Sequence, residues 1–171
     1  MSDFHAAAEF LGIAEKPSVM ELVLRFENLS EFFVSSQHGD RKRNLPGFRF
    51  AHNAARGPSK GGLRLDPIVR FDEVCALAFM MTFKTAKSRI LCGGGKGGLI
   101  INPREFLDRR LDFVDTLTNF GRSLFLVTGP NRDVPAGDVG CGASEIGILF
   151  EGFKSALRDL ALIAYGLKKG A

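Results

Sequence analysis

Among its 171 residues the chain has no tryptophan, a single tyrosine and only three cysteines. Cys75, Cys92 and Cys141 are odd in number and follow no metal-ligand spacing. That pattern argues against a disulfide framework or a metal centre and for free thiols in a reducing compartment, the cytoplasm fitting best. No apolar stretch approaches the roughly 18 residues that a membrane span needs. The segment from Met1 to Phe10 carries acidic residues and no leading basic cluster, so no targeting segment is expected. Basic residues are only mildly in excess, at a formal charge of +4, and only Arg41-Lys42-Arg43 and Lys168-Lys169 form clusters. A nucleic-acid groove would need more than that.

What is present is the makeup of an ordinary folded domain, 45% hydrophobic and 25% charged. The length suits one unit, residues 1–171, whose core needs neither disulfide nor metal. Sixteen phenylalanines supply bulk without a polar handle, which makes them core filler.

Ala-rich Asp3 to Leu11 predicts a short helix stopped by Gly12. From Met20 to Phe26 apolar and other residues alternate with the period of a strand, although a helix running to Val34 is also compatible. The polar, basic stretch from Gln37 to Gly47 reads as a surface loop before a strand at Phe48 to His52. After the Asp66-Pro67 turn, Val74, Ala78, Met81 and Thr85 recur at helical spacing. Leu99, Ile100 and Ile101 predict a brief strand closed by Asn102-Pro103, and Leu111 to Phe125 another helix. The last helix starts near Ala143, carries Ile146, Leu149, Phe150, Phe153, Leu157 and Leu160 on one face, and ends at Lys168-Lys169-Gly170. Short strands alternating with helices predict an α/β domain, three-layer-like, with a mixed sheet flanked by helices.

Gly93-Gly94-Gly95-Lys96-Gly97-Gly98 places one lysine among five glycines. It reads as a loop, either a tight structural turn or one whose lysine faces an anion or a reacting group. Gly93, Gly95 and Gly98 formally match a dinucleotide fingerprint, but that motif must open a helix, and here a strand is expected to follow. A phosphate loop fails too, because Gly97 stands where Ser or Thr is required. A second glycine-flanked lysine lies in Gly57-Pro58-Ser59-Lys60-Gly61-Gly62-Leu63-Arg64, and Asp133-Val134-Pro135-Ala136-Gly137-Asp138 adds carboxylates. Lysine can anchor a substrate carboxylate or transfer a proton when its environment favours the neutral amine.

In order along the chain, Phe48 to Asn53, Gly57 to Arg64, Phe83-Lys84, Gly93 to Gly98 and Asp133 to Ile146 resemble the Glu/Leu/Phe/Val dehydrogenase family, in its first, substrate-binding and subunit-contacting domain. The resemblance implies oxidative deamination of an L-amino acid to a 2-oxo acid and ammonia with NAD or NADP. By it, Lys84 binds the substrate α-carboxylate, Lys96 is the catalytic lysine and Asp138 the catalytic aspartate. Lys60 matches the lysine that pairs with the side-chain carboxylate in glutamate-specific members, which favours glutamate. Gly62, Cys92 and Ala136 complete the substrate contacts. Cys92 stands where family members commonly carry Met, and Cys141 where Val is common. The resemblance further implies a homo-oligomer, at least a dimer, and a nucleotide-binding domain that these residues do not include. The chain alone is therefore expected to be inactive and to bind neither cofactor. The alternative is a non-catalytic oligomerisation or amino-acid-binding module.

Overall fold

The computed structural model describes residues 2–165. Helices α1 (Ser2–Phe10) and α2 (Pro17–Leu24) precede a hairpin of β1 (Phe26–His38) and β2 (Arg41–His52). Strand β3 (Ser59–Leu65), helix α3 (Phe71–Lys87) and strand β4 (Gly93–Leu99) then form a right-sized crossover unit. A short 3-10 turn (Pro103–Phe106), α4 (Arg110–Leu124), β5 (Asp133–Ala136) and α5 (Ala143–Ala164) complete the chain. The five strands lie in the order β1-β2-β4-β3-β5. β2 is antiparallel to β1 and β4, while β3 is parallel to β4 and β5. The sheet is thus mixed and has helices on both faces, as the alternation of elements predicts.

Two apolar layers hold it. On one face Leu63, Leu65, Leu99, Leu117, Phe120, Leu124 and Leu149 join the sheet to α4 and α5. On the other, Phe48 and Phe50 meet Val74 and Ala78 of α3. Burying side chains of this size stabilises by about 1.5–3 kcal/mol each.

Three local expectations are overturned. The segment from Met20 is helix α2 up to Leu24, with Pro17 in its first turn, where the missing N–H costs nothing. The half-buried residues are Val19, Met20 and Val23, at helical spacing, whereas Leu22 and Leu24 are exposed, so the alternation up to Leu24 was coincidental. True alternation begins at Phe26, where β1 starts. The expected loop from Gln37 to Gly47 is the far end of the hairpin, turning at Gly39 and Asp40. Its residues are polar because Arg41 to Asn44 are exposed, with Arg43 paired to Glu105. The glycines 93–98, expected as a loop, are themselves strand β4, which stops at Leu99, so the strand expected over 99–101 lies one segment too late.

The expected α3 and α4 are present, although Leu111 is exposed. In α5, Leu149 is buried but Phe150, Leu157 and Leu160 remain half exposed. The expected stop at Lys168-Lys169-Gly170 lies outside the described residues. No helix among the described residues is long and apolar enough to cross a membrane.

Candidate active site on the α3 face of the sheet

The glycines of β4 are explained by what passes above and below them. A Cβ at Gly94 would lie 2.3 Å from the carbonyl oxygen of Ala78 and 2.4 Å from Thr82 Oγ1, because α3 rests its backbone on this strand. A Cβ at Gly95 would lie 2.9 Å from both Arg49 Nη2 and Asp133 Oδ1 on the opposite face. There Arg49, fully buried in β2, reaches across to β5. Its Nε donates to Asp133 Oδ2 at 2.6 Å, Nη2 donates to Oδ1, and Nη1 donates to the carbonyls of Gly61 and Gly62 at 3.2 and 3.4 Å. β4 is therefore a thin slat between a helix and a guanidinium. Lys96 is its one long side chain.

Strand alternation decides which residues share a face. Gly94 faces α3, so Lys96 does too. β3 runs parallel to β4 with Lys60 beside Gly94 and Arg64 beside Gly98. Leu63 and Leu65 belong to the α4 and α5 side, which leaves Lys60, Gly62 and Arg64 on the side of Lys96. Asp138 is brought there by the turn after β5, a loop closed by paired backbone hydrogen bonds between Asp138 and Cys141 at 3.0 and 2.9 Å. Lys96 Nζ donates to Asp138 Oδ2, and the two side chains are 9% and 20% exposed. A Cβ at Gly62 would stand 2.7 Å from the Asp138 Cβ, so glycine here is what admits the aspartate.

The other expected residues lie on β3, α3, β5 and the approach to β4. Lys60 is half-buried on β3 and Lys84 is exposed on α3. Helical stepping puts Lys84 on the same stripe of α3 as Glu73 and Leu77. That stripe borders β3, because Glu73 accepts a hydrogen bond from Arg64. Neither Lys60 nor Lys84 forms an ion pair among the described residues. Ala136 ends β5 beside Gly62. Cys92 immediately precedes β4, its carbonyl accepting from Thr85 Oγ1 at 2.9 Å. Asp133 belongs to the opposite face and takes no part.

Two cavities of about 390 and 460 Å3 lie elsewhere, and neither is lined by Lys60, Lys84, Lys96 or Asp138. Arg64 and Glu73 were given no role from sequence alone. The available signal was the Lys60, Gly62, Arg64 alternation, which becomes visible only once the segment is known to be a strand.

Burial acts to raise the Asp138 carboxyl, but the hydrogen bond from Lys96, the Val139 backbone N–H and the charges of Lys96 and Arg64 outweigh it and hold it below the usual carboxylate value of 3.8. A carboxylate with a depressed folded-state value stabilises the native chain above its unfolded value, and the gain disappears as pH falls through the folded one. Asp138→Asn is accordingly expected to lower Tm at neutral pH, with the difference from wild type shrinking as pH falls below the usual carboxylate value of 3.8 and through the folded-state one. Thermal melts across pH check this.

Cys141 is 2% exposed within the core layer under α5, and burial pushes its thiol up to about 12. At pH 8 only roughly one thiol in ten thousand would be thiolate. Peptide mass spectrometry after iodoacetamide treatment should find Cys141 unmodified in the folded chain and modified in urea. Cys75 and Cys92, both partly exposed, are the accessible thiols for comparison.

Fold and site together define the class, an α/β domain of the amino-acid dehydrogenase type. The chain belongs to the Glu/Leu/Phe/Val dehydrogenase family, whose dimerisation-domain profile matches residues 28–155. It is 40% identical over 152 residues to an NADP-specific glutamate dehydrogenase of Laccaria bicolor, covering 89% of this chain and 31% of that protein. It is 44% identical over 97 residues to a glutamate dehydrogenase of Thermotoga maritima, covering 57% of this chain and 23% of that one. Glutamate dehydrogenase from Peptoniphilus asaccharolyticus has a crystal structure that superposes with a TM-score of 0.81 at 30% identity, covering 98% of this chain and 39% of that chain. The chain thus spans about a third or less of these curated relatives.

Proposed function

We propose that the chain is the substrate-binding part of an NAD(P)-dependent amino-acid dehydrogenase that acts on glutamate, and that Lys96 and Asp138 transfer its protons. The observation that carries this reading is the Lys96–Asp138 contact on the sheet face under α3, with Lys60 on β3 and Lys84 on α3 and neither of them in an ion pair among the described residues. Glutamate brings two carboxylates. Lys84 would take the α-carboxylate and Lys60 the side-chain carboxylate, each pairing a charge that is costly to desolvate alone. Gly62, Ala136 and Cys92 would line the space between them.

Oxidation leaves a substrate iminium, and water must then add to it. In amine form, Lys96 accepts the proton of that water. Direct contact lets the proton pass to Asp138 Oδ2, and Asp138 delivers it to the departing ammonia. A carboxyl held below its usual range is ionised at neutral pH, so Asp138 carries the proton only in passing from Lys96 to the ammonia. The nicotinamide, when bound, takes the hydride from the substrate α-carbon. The glycines of β4 do not form its cradle, since they are occupied by α3 on one face and by Arg49 on the other. On this reading cofactor binding falls to other parts of the parent polypeptide, in the compartment, the cytoplasm, that suits free thiols. Association of the parent polypeptide through this domain, as a homo-oligomer on this reading, accords with the family's description as a dimerisation domain, and a glutamate dehydrogenase of Thermus thermophilus is a hetero-hexamer.

Assay of the parent polypeptide with glutamate, leucine, valine and phenylalanine, each with NAD+ and NADP+, tests the reading. Glutamate should be the preferred substrate, and Lys60→Leu should raise its KM by at least tenfold with little change for leucine. Absence of turnover with every amino acid would reject the dehydrogenase assignment in favour of a binding or assembly module.

A further inference from the structure

Asp138 Oδ2 has two cationic neighbours. Lys96 Nζ donates to it directly, and Arg64 Nε stands 3.7 Å away. That Nε is shielded from solvent and has no hydrogen-bond partner, whereas Nη1 of the same guanidinium donates to Glu73 of α3. A buried N–H without an acceptor costs about 1–3 kcal/mol, and the carboxylate oxygen 3.7 Å away is the one that Lys96 already holds. The arginine is fixed at one end and held in reserve at the other.

We infer that Arg64, anchored by Glu73, is a positioning residue that takes over Asp138 when Lys96 turns to the substrate. This rests on the dehydrogenase reading for its catalytic consequence, but not for its geometry. Without such a second donor, Asp138 would lose its partner at the step in which Lys96 receives a proton from water. The carboxylate would then be free to rotate away or to take up a proton from solvent. A shift of roughly 0.8 Å brings Arg64 Nε to about 2.9 Å from Oδ2, an ordinary hydrogen-bond length, and satisfies the orphan N–H in the same movement. Glu73 keeps the guanidinium from following Asp138 or swinging into solvent. The charged groups acting on Asp138 are Lys96 of β4 and Arg64 of β3, while Lys60 of β3 and Glu73 and Lys84 of α3 lie on the elements packed around them. The Cys141 backbone closes Asp138's own turn.

Two readouts on the parent polypeptide test this, comparing wild type with Arg64→Met, Arg64→Lys and Glu73→Gln. The first does not require activity: carbodiimide labelling of the Asp138 peptide is followed against pH by mass spectrometry. Arg64→Met should move the labelling midpoint upward by about one pH unit, and Arg64→Lys should restore part of that shift. The second is kinetic. Arg64→Met should lower kcat for glutamate ten- to a hundredfold and move the acid limb of its pH profile upward, with KM changed less than threefold. Glu73→Gln should give a weaker version of both. A labelling midpoint unmoved in Arg64→Met would overturn the assignment, as would a loss of activity accompanied by a lowered Tm and an unchanged pH profile. If the wild type turns over no amino acid while the labelling shift is present, the function fails and the positioning role stands.

Discussion

Arg49→Met is expected to destabilise the fold by about 3–5 kcal/mol, because it leaves the Asp133 carboxylate charged, dry and without its partner. The pair is almost wholly excluded from solvent, at 0% and 1% side-chain exposure. Arg49 supplies both of Asp133's charged donors and also serves the carbonyls of Gly61 and Gly62. The loss spreads across the sheet, since one side chain ties β2 to β3 and β5 beneath β4. Native domains are stable by only about 5–15 kcal/mol, so the variant lies near the limit of folding, with Tm lowered by roughly 6–20 °C. Asp133→Leu should behave alike, by leaving a guanidinium unpaired. The double variant Arg49→Met with Asp133→Leu should recover a large part of the loss, because two apolar groups replace two charges that had to be desolvated together. Urea midpoints of the four proteins give the coupling directly. Losses in the double variant equal to the sum of the single ones would show that the two residues act independently.

This pair also shows why β4 was not legible as a strand. Helix α3 was predictable, because its inner face repeats Val74, Ala78 and Thr85 along a single stretch of sequence. Nothing local in Gly93 to Gly98 says strand, since a run of glycines has no side-chain period. Its conformation is decided by distant residues: Ala78 and Thr82 on one side, Arg49 and Asp133 on the other. Similarly, the tip of the β1–β2 hairpin shows no apolar alternation because its neighbours there are the polar groups of Glu105, Arg109 and Asp112. Lys60, Lys84, Lys96 and Asp138 were legible as candidates because each stands in a motif. Arg64 and Glu73 were not, because their meaning depends on two elements meeting at a third. A sequence motif names the residues that touch a substrate more readily than the residues that hold those in place.

Lys96→Met in the parent polypeptide should reduce kcat with glutamate by about 10²–10⁴-fold, the usual contribution of a positioned proton-transfer group. The fold should survive. Methionine has a comparable length and suits a side chain that is only 9% exposed, and Asp138 retains Arg64 as a cationic neighbour. The Tm should therefore fall far less than in Arg49→Met, which separates a chemical loss from a structural one. Lys96→Ala offers a sharper version, since it removes the amine and leaves space where a small primary amine added to the assay can sit. Partial recovery of turnover with ethylamine, growing with pH as more of the added amine becomes neutral, is expected if Lys96 acts as a base. Asp138→Asn should lose activity on a similar scale without responding to ethylamine, because it removes the acid that protonates ammonia rather than the base that activates water. Equal rescue of both variants would mean that the amine acts somewhere other than the Lys96 position. Full activity in Lys96→Met would mean that the Lys96–Asp138 contact serves the fold alone.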